Sequence, residues 1–508
     1  MKHGEPEMQS SKGFLGKVLG RITKTASEET EEIERELPFA VMLFTLMATS
    51  GVSLYESWKR MRKLSLLPRF RKEAEEVVRQ VEVLGKDPLT AMYDRAEKTN
   101  SKIYRDFLSG FVSSIKSGGK IADYMRSKLR SIFELRSNAM VRLTEKIATL
   151  VEAYAVMLIV TLCVYILYVV LSSTSMMELL AKTSLPTSPY MAYLVTFFVM
   201  PLISFIFMLV AHNFQGSTLL NLKDVYKRAL IPMAAVSGLL CAFAFVPSLS
   251  ELAHSFGWPA LLTIGLTIMS LPPAIYYYKI AKVNYNAEDS LPSFLRDVTE
   301  SQKIGLSPEK SIIHATKRRD YGRFSQFLDL IRGQIEWGVS LKRIFENFSQ
   351  KIRSWLVLVN FMMMIETIEI GGGPARALEI LSEYSEKEHE VQVNKRALLR
   401  PYVILAFVWS VLIALTTTIV AMTVYILTQL ATPSLSIAIA SSLQSQIEVF
   451  SLGIILQCWI SGFFIGKISE GNFAAGFKYS ALLAITAYIS LFLSQNFFWS
   501  AFGMSAAG

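Results

Sequence analysis

Only three cysteines stand in 508 residues: Cys163, Cys241 and Cys458. Each lies inside an apolar run, and none has a thiol or imidazole neighbour at zinc spacing. A disulfide framework and a structural zinc are therefore excluded, and each thiol reads as a small buried hydrophobe. Histidine is as scarce, with His3, His212, His254, His314 and His389 scattered along the chain. His389-Glu390 begins like a zinc-protease motif but continues Val-Gln-Val, so the second ligand is missing. Phosphate loops are absent too. Gly16-Lys17 is followed by Val18 and lacks the upstream glycine spacing, and Gly371-Gly372-Gly373-Pro374 has no Lys-Ser/Thr after it. No constellation for catalysis, metal or cofactor binding remains, and the expectation is a protein that is not an enzyme.

Charge is missing from long stretches. The chain is 52% hydrophobic with a mean hydropathy of +0.36, yet 19% of its residues are charged. Soluble and membrane parts therefore alternate. Seven stretches are long and apolar enough to cross a bilayer, roughly 149–172, 190–212, 229–247, 258–278, 402–429, 448–466 and 474–498. Aromatic residues such as Tyr190, Trp258, Tyr276, Tyr402 and Trp499 mark several ends. The spans hold almost no ionisable groups; Glu152 and Lys478 sit near their ends. A coupled transporter would keep such groups at mid-membrane. Residues 37–54 form a tempting eighth span, but their repeat partner is too polar to enter lipid. A core helix, or one lying on the membrane, is expected there instead.

The formal charge of +10 is concentrated. Of 52 Lys and Arg residues, 27 lie in residues 1–148 and 19 in residues 279–401. They are not interleaved with aromatics as a nucleic-acid surface would be, and anionic lipid is the better partner. The short loops 213–228 and 467–473 are basic, whereas the opposite loops and the tail hold only Lys182. By the positive-inside rule both large blocks face the cytoplasm of a plasma-membrane protein, and the C-terminus lies outside. The polar N-terminal residues show no cleavable signal.

The two charged blocks repeat each other. Leu37-Pro38 matches Leu291-Pro292, Gly51-Val52-Ser53 matches Gly305-Leu306-Ser307, and Arg69-Phe70 matches Arg323-Phe324, all 254 apart. Gly85 and Gly338, then Gly118-Gly119 and Gly371-Gly372, lie 253 apart, so a single one-residue indel suffices. Helix signals recur in step. Ser53 with Glu56 reads as a capping box, Ser307-Pro308 as its counterpart, and Asp87 and Ser340 as equivalent N-caps. Apolar residues at helical spacing, Phe70, Ala74, Val77, Val78 and Val81 or Ile344, Phe345 and Phe348, give each block an inner face. The expected fold is all-α, a polytopic membrane protein with two repeated cytoplasmic helical bundles of about six helices each. The parts are an N-terminal polar segment (1–36), a first bundle (37–148), four spans (149–278), a second bundle (279–401) and three spans with a short external tail (402–508). The span at 258–278 has no repeat partner and makes the duplication parallel. Turns are expected at Gly51, Gly305, Gly118, Gly119 and Gly371 to Gly373.

A Leu-Pro helix, a Gly-x-Ser turn, a middle turn glycine, a Gly-Gly turn and then a span resemble the type II secretion system F domain. Two copies joined by extra spans are similar to the archaeal platform proteins of type IV pili and of the archaellum, over most of residues 37–500. The resemblance implies a scaffold that meets a hexameric secretion ATPase and supports pilin or archaellin subunits, without catalysis of its own, and it allows a homodimer. A contact with that ATPase is expected at a basic cluster in each copy. These are Lys59, Arg60, Lys63 and Arg62 with Arg69 and Arg71, and Lys317, Arg318 and Arg319 with Arg323. The competing reading of those residues is a solvated loop that obeys the positive-inside rule. The competing reading of the whole chain is a transporter or channel with cytoplasmic regulatory domains.

Overall fold

A computed structural model describes residues 29–173, 194–215, 219, 222–245, 257–318, 320–370, 375–431 and 436–501. The N-terminal segment up to residue 28, most of the non-cytoplasmic loops expected from charge, Arg319, and Gly371 to Gly373 lie outside these residues. The chain is all-α, with no strand among the described residues. It divides into two compact units, Met1–Ala139 with Asn284–Val391, and Met140–Val283 with Gln392–Gly508.

In the first unit, one copy comprises α1 (29–49), α2 (Leu54–Met61), α3 (Pro68–Glu82), α4 (Pro88–Lys98), α5 (Lys102–Lys116) and the start of α6 (Ile121–Ser173). The other comprises the end of α9 (Trp258–Lys303), α10 (Pro308–Arg318), a 3-10 turn Gly322–Phe324, α11 (Ser325–Glu336), α12 (Leu341–Lys351), α13 (Trp355–Glu369) and the start of α14 (Ala375–Ala431). Helices start where the side chains dictate. Ser53 accepts from the Glu56 amide, and Asp87 from those of Leu89 and Thr90, satisfying first-turn donors that no helical carbonyl can reach. Ser340 occupies the N-cap of α12 without a side-chain bond. Both copies begin their fifth helix on a serine, Ser101 and Ser354, whose hydroxyl caps the helix and donates to a glutamate of the first, Glu34 and Glu288. Ser101 and Ser354 lie 253 apart, Glu34 and Glu288 254 apart, so side-chain contacts repeat with the sequence.

The apolar segment of α1 is a core helix. From Leu37 to Met47 its side chains are almost wholly buried. The Phe39 ring meets Trp355 edge-on at 4.7 Å and Phe133 at 6.4 Å, while Phe44 meets Trp58 and Phe107. Trp355 opens α13, the other helix of this unit that is apolar on every side, and its indole N–H donates to the Leu66 carbonyl of the first copy. A helix apolar all round must be enclosed; these two meet at Phe39 and Trp355, and Phe361 of α13 packs further against Phe294, Phe324 and Phe348 of its own copy. Burial of each large side chain contributes about 1.5–3 kcal/mol. The two copies are further tied by the Arg136 guanidinium, which donates to both carboxylate oxygens of Glu388 at 3.0 and 2.9 Å and covers the Phe39 ring.

The second unit carries seven helices long and apolar enough to span a bilayer, so the chain is a multi-pass membrane protein. They are the ends of α6 and α14, a π turn with α7 (Met200–Phe214), α8 (Lys223–Phe245), the start of α9, α15 (Ser436–Glu470) and α16 (Phe473–Ala501). α6 and α14 have 53 and 57 residues, and α14 continues through Pro401, which stands between its charged and apolar halves. At about 1.5 Å per residue each extends roughly 80 Å.

Two of the cysteines depart from expectation. Cys458 is buried, but Cys163 and Cys241 are exposed on their spans. Lipid is as apolar as a core, so an outward thiol on a span costs little.

Candidate functional site

In the first copy the basic cluster follows α2, and acidic side chains hold most of it. Lys59 and Arg62 both reach Glu82 at 3.6 Å, and the Tyr55 hydroxyl donates to the same carboxylate at 2.9 Å. Arg60 pairs with Glu56 on its own helix and with Glu366 of the second copy. Arg69 lies between Glu29 and the buried Glu73, and Arg71 pairs with Glu75. In the second copy Lys317 pairs with Glu336 at 4.0 Å. Arg318 reaches Glu300 and, at 3.0 Å, the wholly buried Asp297, which also accepts from the Tyr321 hydroxyl. Lys63 and Arg323 make no ion pair among the described residues, and Arg323 is exposed. The two clusters are thus largely neutralised, and two of the arginines help to hold the bundles together. The acids that hold Lys59, Arg62, Lys317 and Arg318 stand about 20 residues away in sequence, which is why these four read as bare positive charge.

The turns are the other elements expected to matter. Gly51 and Gly305 have φ of +79° and +91°, and Gly118 has +73° between α5 and α6. At Gly118 an L side chain would be strained, because a Cβ crowds the backbone at such φ. Gly119 is constrained by space instead, since a Cβ there would meet the Ser114 hydroxyl oxygen at 2.9 Å.

One carboxyl that the sequence does not single out is Glu36 on α1. It is buried and accepts from the amides of Arg69 and Phe70, the first-turn donors of α3 that Leu67 cannot cap. Burial pushes it up to about 7 from 4.5, against the two amide bonds that lower it. A raised carboxyl stabilises the fold fully below the unfolded value and loses that contribution as pH climbs through the folded one. Stability should therefore fall by roughly 2 kcal/mol between pH 5 and 8 on this account. Glu36→Gln keeps a carbonyl acceptor for both amides and should flatten the slope. Thermal unfolding at the two pH values checks it, and identical slopes for both proteins would reject the assignment.

In the membrane unit, polar side chains gather where the two repeats meet. The Tyr154 hydroxyl lies 2.9 Å from Ser204 and 2.7 Å from Ser461, and the Gln457 amide donates to Ser204 at 2.7 Å. Ser204 and Gln457 are themselves 253 apart, hence repeat-equivalent. A residue touches its own equivalent only near a two-fold axis, as in an isologous dimer. Below them the ammonium of Lys467 donates to the carbonyls of Gln215 at 2.6 Å and Gly471 at 2.8 Å, and so ties the ends of α7 and α15. Among the described residues no group of His, Cys, Asp and Glu could hold a metal.

A duplicated bundle feeding a duplicated set of spans is matched by the family model for the type II secretion system (T2SS), protein F. It fits residues 40–169 and again 294–422. The chain belongs to this family, whose members are membrane platforms of secretion and pilus systems rather than enzymes. An uncharacterized protein of Methanocaldococcus jannaschii is 21% identical over 487 residues, covering 91% of this chain and 80% of that protein. No solved structure matches the chain with significance.

Proposed function

We propose that the chain is the membrane platform of an archaeal type IV filament machine. In this reading it couples a cytoplasmic hexameric secretion ATPase to the insertion of pilin or archaellin subunits, with both bundles inside and the C-terminus outside. The observation that carries it is the continuity of α6 and α14, one from each family repeat, each running unbroken from a bundle into a span. A continuous helix links each bundle to its span in sequence, and in α14 Pro401 stands inside it, where one backbone hydrogen bond is lost. The asymmetry of basic residues between loops supports the orientation, and the archaeal relative supports the setting.

Purification of the full chain from its native membranes should bring down an ATPase and small pilin-like subunits, and cells lacking the chain should lose their filaments. Retained filaments would refute the reading. An impermeant thiol reagent should leave an engineered cysteine at Lys317 unlabelled in intact cells, and labelling would reverse the topology. Charge reversal as a test of ATPase contact belongs at Lys63, Lys317 and Arg323. Reversing Arg318 would place a carboxylate against buried Asp297 and disturb the bundle itself.

A further inference from the structure

Trp337 is 88% exposed, the most open large apolar side chain of the molecule among the described residues. It caps the end of α11, immediately before Gly338. Its repeat-equivalent, 253 residues earlier, is Leu84, which is 60% exposed beside Val83 at 73% and immediately before Gly85. Both glycines are left-handed, with φ of +65° and +74°. Both turns close by backbone bonds onto the helix they end, Lys86 N–H to Gln80 and Val339 N–H to Gln334. A Cβ built on either glycine would meet nothing within 4 Å. Each copy therefore pushes bulky apolar surface into open space from a turn of fixed shape.

An exposed leucine alone is ordinary. Exposure of a tryptophan, at a position where the other copy also exposes bulky apolar groups, is not explained by packing. An ion-paired glutamate precedes each tip at an equivalent position, though its cations differ: Lys59 and Arg62 reach Glu82, and Lys317 reaches Glu336. These pairs leave little net positive charge to draw the tips to an anionic lipid surface. They instead form a polar rim around an apolar centre, the anatomy of a protein–protein contact.

We infer that Val83-Leu84 and Trp337 are twin apolar anchors that insert into equivalent sockets on a protein assembled from identical subunits. The duplication argues for such a partner, because identical subunits offer the same socket more than once. This rests on the platform reading, in which that partner is the hexameric ATPase. Two anchors on one chain add avidity, so loss of both weakens binding more than either alone.

The test uses the full chain in nanodiscs and the purified ATPase. Trp337→Ala and Leu84→Ala should each weaken binding about tenfold, and the pair together more, with unchanged thermal unfolding. A photo-crosslinking residue at position 337 or 84, in an otherwise unaltered chain, should capture the ATPase in cells, whereas one at exposed Lys116 should not. Equal affinity of wild type and variants would overturn the anchors while leaving the platform reading intact. Absence of ATPase binding by the wild type would overturn both. Crosslinks to lipid from the two tips would assign them to the membrane surface and overturn the protein socket.

Discussion

Gly466→Leu should collapse the α15–α16 hairpin and remove most of the chain from the membrane. A Cβ at Gly466 would lie 2.3 Å from the Gly476 nitrogen and 2.4 Å from its Cα, both backbone atoms that no rotamer change can move. Gly462 stands four residues earlier, and its Cβ would meet the Ser480 backbone at 2.3 Å. The two glycines form the small-residue stripe by which membrane helices pack backbone to backbone, where dispersion rather than the hydrophobic effect holds them. Overpacking so close a crossing should cost about 3 kcal/mol, the upper end of the usual range, because the clash is with backbone. Gly238→Leu, where a Cβ meets nothing within 4 Å, should be tolerated. Membrane abundance and thermal unfolding in detergent distinguish the two. Wild-type behaviour of Gly466→Leu would mean that the helices are not in contact there.

Arg136→Met should destabilise the bundle unit by about 3–5 kcal/mol, because it removes the guanidinium that donates to both oxygens of the buried Glu388 carboxylate. The double variant Arg136→Met/Glu388→Gln should recover much of that loss, since it also removes the buried charge that the guanidinium served. The pair joins the two copies, so the single variant should also expose sites near α6 and α14 to limited proteolysis. Equal stability of single and double variants would show that Glu388 is not desolvated as the geometry requires.

Much of the fold is legible in the sequence because it depends on local chemistry. The repeat offset, the number of spans and the Ser53 and Asp87 caps need only near neighbours. Glycine spacing likewise marks the turns at Gly51 and Gly305. What escapes is set by partners far along the chain. The polar repeat partner of the run at 37–54 argues against a span, but what covers that run, Trp58, Phe107, Phe133 and Trp355, cannot be read from the run itself. Acids beyond the local window neutralise the basic clusters, so Lys59, Arg62 and Arg318 look free until Glu82 and Asp297 are placed beside them. Some signals were readable. Gly462 and Gly466 stand four apart in an apolar run, and Ser101 with Glu34 repeats in Ser354 with Glu288.

The pairing of α1 with α13 carries an evolutionary consequence. These two enclosed helices occupy different places in their copies: α1 is a first helix and α13 a fifth. Their counterparts, the end of α9 and α5, are amphipathic. A chain built from two first copies would leave Phe39 without its Trp355 partner, and one built from two second copies would leave Trp355 without Phe39. After duplication the halves became complementary, like the two different chains of an obligate heterodimer. Selection now acts on the pair, and neither half can stand in for the other.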